Sequence, residues 1–433
     1  MKKHKINIVT LGCSKNVVDS EQLATQLKGS KLEVVFDSNK TDARTIVVNT
    51  CGFIKDAKEE SIDTILSYAR EKEKGKIDNL YVIGCLSERY KDDLKSEVPE
   101  VDQFFGVNDI HAIVKSLNVD YKEELFGERL ISTPKHFAYL KISEGCDRGC
   151  AFCAIPLIRG KHLSVPFEQL IQQAQHLANK GVKELILIAQ DLSSYGQDLY
   201  KKNRLAELLK ELVKIDKLKW IRLHYAYPTG FPDEVIELMA LEPKICNYLD
   251  IPLQHISDKV LKLMRRGQNK NSTLKLIEKL REKNPNITIR TTLLVGHPGE
   301  GQEEYEELKE FVKLARFDRL GVFTYSEEEG THGALNLKDG TPEVIKSERA
   351  DEIMAIQQEI SLDLNQKKVG QTFEVLIDRI EGEYYVGRSE FDSPEVDNEI
   401  LISLNDSELN IGEFYMACVE SARDYDLYGH VVI

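Results

Sequence analysis

Three cysteines lie close together at Cys146, Cys150 and Cys153, in the spacing C-x3-C-x2-C. Thiolates are soft ligands that select zinc, copper(I) or iron–sulfur clusters. A structural zinc site is closed by four ligands, and no further cysteine or histidine follows this stretch at a zinc-like spacing. A [4Fe–4S] cluster normally has four cysteine ligands, so three would leave one iron open. The spacing therefore predicts a cluster whose open iron can bind a reactant.

A second set of three cysteines is spread through the first hundred residues, and each follows an apolar run that predicts a β-strand. The cysteines are Cys13, Cys51 and Cys85, after strands predicted at residues 5–11, 45–49 and 79–83. Open α/β sheets place their ligands just beyond the carboxyl ends of their strands. Three thiols can therefore converge there and hold a second cluster with an open iron. The alternative is three buried cysteines that act as small apolar residues.

Two α/β domains are predicted to position these cysteines. In residues 1–130, strands alternate with helices, which is typical of a parallel sheet covered on both faces. In residues 135–365, six strand-like runs alternate with amphipathic helical stretches and predict a partial (β/α)6 barrel. The runs are at residues 137–143, 184–189, 220–225, 248–253, 287–295 and 320–325. Active-site groups of such barrels lie on the loops after the strands, and the C-x3-C-x2-C loop follows the first run.

The tail, residues 366–433, is predicted to form a small antiparallel β-barrel. Its five short strand-like runs are separated by Asn, Asp, Gly and Ser. They lie at residues 372–377, 384–387, 400–403, 414–419 and 428–432.

The C-x3-C-x2-C loop, with Phe152 before its third cysteine, resembles the radical S-adenosylmethionine (SAM) superfamily. That resemblance implies a [4Fe–4S] cluster held by Cys146, Cys150 and Cys153, whose open iron is chelated by SAM. Reduction then cleaves SAM to a 5′-deoxyadenosyl radical. By the same resemblance we expect Phe152, Gln190, Arg290 and Gly296 to contact SAM.

Essentially the whole chain resembles the methylthiotransferase family. The matching stretches are LGCSKN at residues 11–16, VDSE at 18–21, NTCGFI at 49–54 and GCL at 84–86. The resemblance implies that Cys13, Cys51 and Cys85 hold an auxiliary [4Fe–4S] cluster that handles the inserted sulfur, and that a second SAM donates the methyl group. It also implies a tail similar to a TRAM domain, and it requires an electron donor and a sulfur source.

Cys13-Ser14-Lys15-Asn16 is nearer the RimO branch of that family, whose substrate is an aspartate β-carbon in the twelfth protein of the small ribosomal subunit. Ser14 departs from the proline common there. The MiaB branch, which modifies a tRNA adenosine, more often has Gln-Met-Asn after the first cysteine. Two alternatives therefore stay open: the MiaB-like reaction, and a non-catalytic iron–sulfur carrier.

Charge distinguishes between the two candidate substrates, a ribosomal protein and tRNA. Residues 366–433 contain five basic and fifteen acidic residues, a net charge of −10, which leaves −4 of the total of −14 for the rest of the chain. A protein that grips RNA neutralises phosphates with Lys and Arg, whereas an acidic surface attracts a basic partner. We therefore expect a basic ribosomal protein to bind the tail, and we expect no stable RNA binding.

Composition predicts a cytoplasmic protein. No apolar run approaches the ~20 residues of a membrane span, and eight cysteines without a signal peptide favour a reducing compartment. Lys262, Arg265 and Arg266 form a basic run, which we interpret as a solvated helix end in preference to an anion site. Cys246 and Cys418 have no predicted function.

Overall fold

The computed structural model describes residues 5–38, 41–125, 127–405 and 408–432. The chain divides into two compact units. The first comprises Met1–Thr133, Tyr139–Asp147 and Cys153–His176, and the second comprises Pro134–Ala138, Arg148–Phe152 and Leu177–Ile433. None of the helices in the described ranges combines the length and the apolar character that crossing a bilayer requires.

A five-stranded parallel sheet forms the centre of the first unit, in the order β2-β1-β3-β4-β5. Its strands are β1 (Lys5–Thr10), β2 (Glu33–Phe36), β3 (Thr45–Thr50), β4 (Asn79–Gly84) and β5 (Gln103–Phe104). Its helices are α1 (Ser14–Gly29), α2 (Lys55–Glu73), α3 (Cys85–Glu97) and α4 (Ile110–Ser116). Successive strand residues point to opposite faces, so Ile8 packs in the core with Leu23 of α1, and Val48 packs in another core with Ile65 of α2. The sheet is thus covered by helices on both faces.

The C-x3-C-x2-C loop follows strand β6 (Phe137–Lys141). Two short strands around it, β7 (Ser143–Glu144) and β8 (Leu163–Ser164), pair in antiparallel fashion. Helix α5 (Ile155–Ile158) comes directly after the third cysteine, and α6 (Phe167–Asn179) follows β8.

Five strands of the second unit, in the order β13-β12-β11-β10-β9, belong to a sheet whose sixth strand is β6. The further strands are β9 (Glu184–Ile188), β10 (Trp220–Leu223), β11 (Ile245–Asp250), β12 (Thr288–Val295) and β13 (Arg319–Thr324). The helices are α7 (Gln197–Tyr200), α8 (Leu205–Leu212), α9 (Asp233–Leu241), α10 (Asp258–Leu263), α11 (Lys270–Lys283), α12 (Gln302–Ala315), α13 (His332–Asn336) and α14 (Glu343–Gln366). Strands β9 to β13 pair in parallel, as a partial (β/α)6 barrel requires.

The tail folds into a closed barrel in the order β14-β15-β16-β18-β17. Its strands are β14 (Thr372–Glu381), β15 (Tyr384–Arg388), β16 (Glu399–Ser403), β17 (Phe414–Ala422) and β18 (Asp426–Val431). A small β-barrel is confirmed with one difference, because β16 and β18 pair in parallel. A ring with an odd number of strands cannot alternate direction at every pair, so one parallel pair is unavoidable.

The predicted fold class is confirmed in all three parts. The predicted tail boundary at residue 366 coincides with the end of α14, although the division into three domains stays a prediction. Strand β5 and helix α4 were not predicted, because two and seven residues are too few for a periodic pattern to stand out.

Candidate cluster-binding site

Cys13, Cys51 and Cys85 lie at the carboxyl ends of three neighbouring strands. Strands β1, β3 and β4 are adjacent in the sheet, and the three cysteines follow them at the same edge. Cys13 precedes the first residue of α1, and Cys85 is the first residue of α3. The structure therefore places the three cysteines at one edge of the sheet, while their convergence on a cluster and their function as its ligands stay predictions.

Two glycines allow the cysteine loops to approach each other. Gly12 has a φ of +87°, and a Cβ there would lie 2.6 Å from the Cβ and 2.9 Å from the Sγ of Cys51. Gly84 has a φ of +98°, and its Cβ would lie 2.5 Å from the carbonyl oxygen of Thr50. Both the backbone angle and the close contact require glycine. Because neither position has a side chain, the loops that carry the cysteines can approach each other closely.

The thiols of this triplet share one electrostatic environment. Burial raises the pKa of Cys51, and it raises the pKa of Cys85 to about 12. Negative charge on Cys13 raises both values further, whereas Arg159 opposes both increases. Since a metal is bound by thiolates and not by thiols, positive charge has to be supplied here to keep the thiols ionised.

Arg159 supplies such charge from the segment that follows α5. Its Nη2 donates to the Sγ of Cys85 at 3.5 Å and to the Oδ1 of Asn16 at 2.6 Å. Its Nη1 donates to Asp19 and Glu144, at 3.0 Å each. Sequence reasoning missed Arg159, and no local pattern marks it, because Cys85 is 74 residues away in the chain.

The C-x3-C-x2-C cysteines are divided between the two units. In the first unit, the backbone N–H of Cys146 donates to the carbonyl oxygen of Gly160 at 3.1 Å. Gly145 has a φ of +73°, and a Cβ there would lie 2.1 Å from the carbonyl oxygen of Lys161. A tight turn without a side chain therefore presents Cys146. Cys153, also in this unit, is half-buried.

In the second unit, Cys150 is buried beside an aromatic ring and a guanidinium group. Its Sγ lies 4.0 Å from the Oη of Tyr227 and 3.6 Å from the Nη1 of Arg266. The hydroxyl of Tyr227 donates to the carbonyl oxygen of Arg266 at 2.6 Å. Arg148 and Arg266 also stack on the Tyr227 ring, with guanidinium carbons 4.2 and 4.3 Å from its centroid. These contacts fix Cys150 in a positively charged setting.

The basic run near α10 is only partly a solvated helix end. Lys262 and Arg265 are exposed, as we expected, but the interpretation is wrong for Arg266, which is buried. The Sγ that Arg266 contacts is 116 residues away in the sequence. Tertiary packing therefore assigns different surroundings to neighbouring arginines that look alike in the sequence.

Two predicted SAM contacts, Phe152 and Gly296, lie in one region of the second unit. Phe152 packs against an apolar cluster that includes Met264 and Tyr325, and its ring centroid lies 6.3 Å from that of His297. Gly296 has a φ of +74°, and a Cβ there would meet the side chain of Lys346. Burial lowers the pKa of His297 to about 4, so its imidazole is neutral at pH 7. The SAM contacts themselves stay predictions.

The other two predicted SAM contacts lie apart in the fold. Gln190 follows the end of β9 and is half-buried. Arg290 is the third residue of β12, where its guanidinium lies 3.5 Å from Asp250 and 3.2 Å from Asp397. Arg290 thus has two carboxylate partners, and its contact with SAM stays a prediction.

Three family models match successive parts of the chain. Residues 5–106 match the uncharacterized protein family UPF0004, residues 140–312 match the radical SAM superfamily, and residues 369–432 match the TRAM domain. The first match contains Cys13, Cys51 and Cys85, and the second contains the C-x3-C-x2-C loop.

Full-length relatives decide the family. Over 429 residues the sequence is 58% identical to ribosomal protein uS12 methylthiotransferase RimO of Christiangramia forsetii, which covers 99% of this chain and 94% of that protein. The chain belongs to the RimO family of methylthiotransferases. The RimO protein of Flavobacterium johnsoniae is 57% identical, with 99% and 98% of the two chains covered. That of Bacteroides thetaiotaomicron is 53% identical, with 100% and 99% covered.

A solved structure supports the fold of this RimO-family chain. The radical SAM methyltransferase TsrM from Kitasatospora setae, solved with cobalamin and a [4Fe–4S] cluster bound, superimposes with a TM-score of 0.54. The match covers 77% of this chain and 74% of that protein at 14% identity. Likeness at this level of identity supports the architecture and not the chemistry.

Membership of the radical SAM superfamily implies a [4Fe–4S] cluster and SAM. The donor set of this RimO-family chain fits an iron–sulfur cluster, because cysteine thiolates are its usual ligands. In the described ranges, no group of three or more His, Cys, Asp or Glu side chains is close enough to hold one metal ion. In a four-iron cluster each thiolate binds a different iron, so the cysteine ligands need not be close enough together to bind a single metal ion.

Proposed function

We propose that this chain adds a methylthio group to the β-carbon of an aspartate in ribosomal protein uS12, with two [4Fe–4S] clusters and SAM. The substrate is proposed because relatives that are 52–58% identical over nearly the whole chain are named ribosomal protein uS12 methylthiotransferases. The observation that carries the two-cluster proposal is the second cysteine triplet, at the ends of three adjacent strands.

The two triplets have separate functions in this proposal. Cys146, Cys150 and Cys153 hold the cluster that cleaves SAM, and Cys13, Cys51 and Cys85 hold the cluster that handles sulfur. When bound, SAM and the clusters supply a carbon radical able to break an unactivated C–H bond, together with the sulfur and methyl groups to be transferred. An external electron donor and a sulfur source complete the reaction.

The protein's own residues hold and shield these groups. Arg266 and Tyr227 fix Cys150 by the contacts of their guanidinium and hydroxyl groups. Phe152 packs into the apolar cluster of the second unit and keeps water from that side of the loop. Phe152, Gln190, Arg290 and Gly296 are the proposed SAM contacts.

Single cysteine substitutions test this division of functions. With SAM, a strong reductant, a sulfide source and purified uS12, we expect the wild type to release 5′-deoxyadenosine and to form methylthio-aspartate, detected by mass spectrometry. Cys150→Ala should release no 5′-deoxyadenosine, because the cluster that cleaves SAM has lost a ligand. Cys51→Ala should still release it and should form no modified peptide.

Cys418→Ala is the matched control, because Cys418 is a half-buried cysteine of the tail barrel outside both triplets. We expect it to keep both products. Modified uS12 from the Cys51 variant would refute the proposed function of the second triplet. A modified tRNA nucleoside in place of modified uS12 would refute the substrate.

A further inference from the structure

Four buried or half-buried charges lie beside the second triplet. The Nη1 of Arg159 donates to Asp19 and Glu144 at 3.0 Å, and the ammonium of Lys141 contacts the same two carboxylates. The side chain of Arg159 is only 2% exposed. Two cations and two anions balance each other, so the group is electrically neutral before any thiolate is considered.

The second terminal nitrogen of Arg159, Nη2, donates to groups outside this neutral group. Its Nη2 contacts the Sγ of Cys85 at 3.5 Å and the Oδ1 of Asn16 at 2.6 Å. Asn16 is itself fixed, since its Nδ2 donates to the carbonyl oxygens of Leu11 and Thr50, at 2.7 and 3.1 Å. Thr50 and Leu11 each stand within two residues of a cysteine of the triplet. The guanidinium is therefore held in register with the strand ends that carry the thiols.

The segment that carries Arg159 is also packed against the same cysteine. Ala154 and Ile158 form a small apolar core with Cys85, and the backbone N–H of Arg159 donates to the carbonyl oxygen of Ile155 at 2.8 Å. One short helix thus fixes both the position of Cys85 and the direction of the guanidinium. Since the contact is buried, water screens this charge only weakly.

We propose that Arg159 is a positioning residue which raises the reduction potential of the cluster held by Cys13, Cys51 and Cys85. A nearby cation and a hydrogen bond to a ligating sulfur both favour the state with the additional electron. In this redox couple, one electron from an external reductant converts the 2+ cluster to the 1+ cluster, and no covalent bond forms or breaks. This inference rests on the proposed function, because it requires the second cluster.

The test isolates the second cluster in a Cys146→Ala/Cys150→Ala/Cys153→Ala background, reconstituted without oxygen. Iron and sulfide are counted first, and the midpoint potential is then measured by a redox titration followed by electron paramagnetic resonance. We expect about four irons per chain. Arg159→Gln should shift the midpoint to a more negative potential, because it removes the cation and keeps a polar side chain.

Asp19→Asn should shift the midpoint potential in the opposite direction, and it keeps the guanidinium of Arg159. It removes a negative charge from the other side of Arg159, so we expect the midpoint to become more positive. Arg159→Lys should fall between the wild type and Arg159→Gln, because it keeps the charge and loses the forked geometry. If Arg159 had only a structural function, Arg159→Gln and Asp19→Asn would not shift the midpoint potential in opposite directions.

Arg44→Gln is the matched control in the same unit. Arg44 is exposed, pairs with Asp78 and precedes β3 at the end opposite Cys51, so we expect no shift. Equal midpoints for Arg159→Gln, Asp19→Asn and the background would overturn the inference while leaving the second cluster intact. Absence of iron from the background would instead refute the second cluster, and the inference with it. If Arg159→Gln does not fold, Arg159→Lys still decides, because an unchanged midpoint in that variant would overturn the expected effect of the guanidinium hydrogen bond to Cys85.

Discussion

At the scale of single residues, the second triplet depends on backbone positions that only glycine can occupy. Gly84 ends β4 with φ +98° and ψ −162°, directly before Cys85. A Cβ there would lie 2.4 Å from the Oδ1 of Asn49 and 2.5 Å from the carbonyl oxygen of Thr50. Since Asn49 and Thr50 are buried, neither has room to move away. The geometry of Gly84 therefore sets the position of the Cys85 thiol.

We expect Gly84→Ala to lower the unfolding free energy of the protein by at least about 1–3 kcal/mol, the usual cost of a strained backbone conformation. The iron content of the second triplet should fall as well, because Cys85 must shift to relieve the contact. Urea unfolding and iron analysis measure the two effects. Gly75→Ala is the control, since Gly75 also has a positive φ but its Cβ would meet no atom within 4 Å. Gly75→Ala should cost about 1–2 kcal/mol and keep its iron; equal iron loss in both variants would contradict the argument.

At the scale of elements, one loop of the tail barrel is held by the sheet of the second unit. This loop, residues 389–398, joins β15 to β16, and it contacts residues of or just after β10, β11, β12 and β13. The contacts are Arg222 with Glu390, Asn247 with Glu390, Tyr248 with Asp397, Arg290 with Asp397, Arg319 with Asp392 and His224 with Ser393. The loop therefore binds the tail barrel to the strands of the larger sheet by polar contacts.

Glu184 lies at the centre of the buried ion pairs beside that loop. Its carboxylate accepts from the Nε of Arg222 and the Nη2 of Arg388, both at 2.7 Å. Burial alone would raise the pKa of Glu184, but Arg388 and Arg222 outweigh it and hold the pKa below its usual value. Asp378, the other carboxylate partner of Arg388, likewise has a lowered pKa, since Arg388 and His136 outweigh its burial.

We expect Glu184→Gln to destabilise the protein by about 3–5 kcal/mol, because it leaves two buried arginines short of a carboxylate. The pH dependence follows from the sign of the pKa shift. A lowered pKa in the folded state gives stability above the unfolded value of about 4.3, and that stability is lost as the pH falls through the folded value. Urea unfolding from pH 7 to pH 3 should therefore show a steeper loss below pH 4 in the wild type than in the variant.

Glu374→Gln is the control for this prediction, because Glu374 pairs with Lys219 at the surface of the same unit. Exposed pairs contribute about 0–1 kcal/mol, so its unfolding curve should nearly match that of the wild type. Equal destabilisation by the two variants would contradict the importance assigned to the buried network.

At the scale of the whole molecule, the acidic charge of the tail is partly neutralised by ion pairs within the protein. Among the described residues, carboxylates of the tail pair with lysines and arginines that precede the tail in the same unit: Glu374 with Lys219, Asp392 with Arg319, Asp397 with Arg290 and Glu413 with Lys183. Others pair with Arg379 and Arg388 within the tail itself. The net charge of −10 counted from the sequence therefore overstates what a partner would meet.

Three exposed carboxylates, Glu383, Glu395 and Glu408, form no ion pair with a basic residue in the part of the chain that the structure describes. If the tail attracts basic uS12, their joint replacement by Gln should weaken binding about tenfold at low salt, equivalent to about 1.4 kcal/mol. The loss should shrink as salt screens the charges. Isothermal titration calorimetry at two salt concentrations measures it. Glu381→Gln is the control, because Arg379 already neutralises Glu381; unchanged binding by the triple variant would exclude the tail as the docking surface.

The sequence by itself determined the fold class and the two cysteine triplets. Apolar periodicity reports which residues are buried, and thiols at metal-ligand spacing or at strand ends have few other uses. It also determined the order of the longer strands and helices, since each of these forms mainly from local pattern. For this reason the sequence alone groups Cys13, Cys51 and Cys85.

Only the tertiary structure decided which charges meet. Arg159 reaches Cys85 across 74 residues, and Arg266 reaches Cys150 across 116, while Arg265 beside it stays exposed. The physical reason is that a charge carries no periodic pattern of its own. Its partner is fixed by packing between distant segments, and burial then decides whether the contact is strong or screened by water.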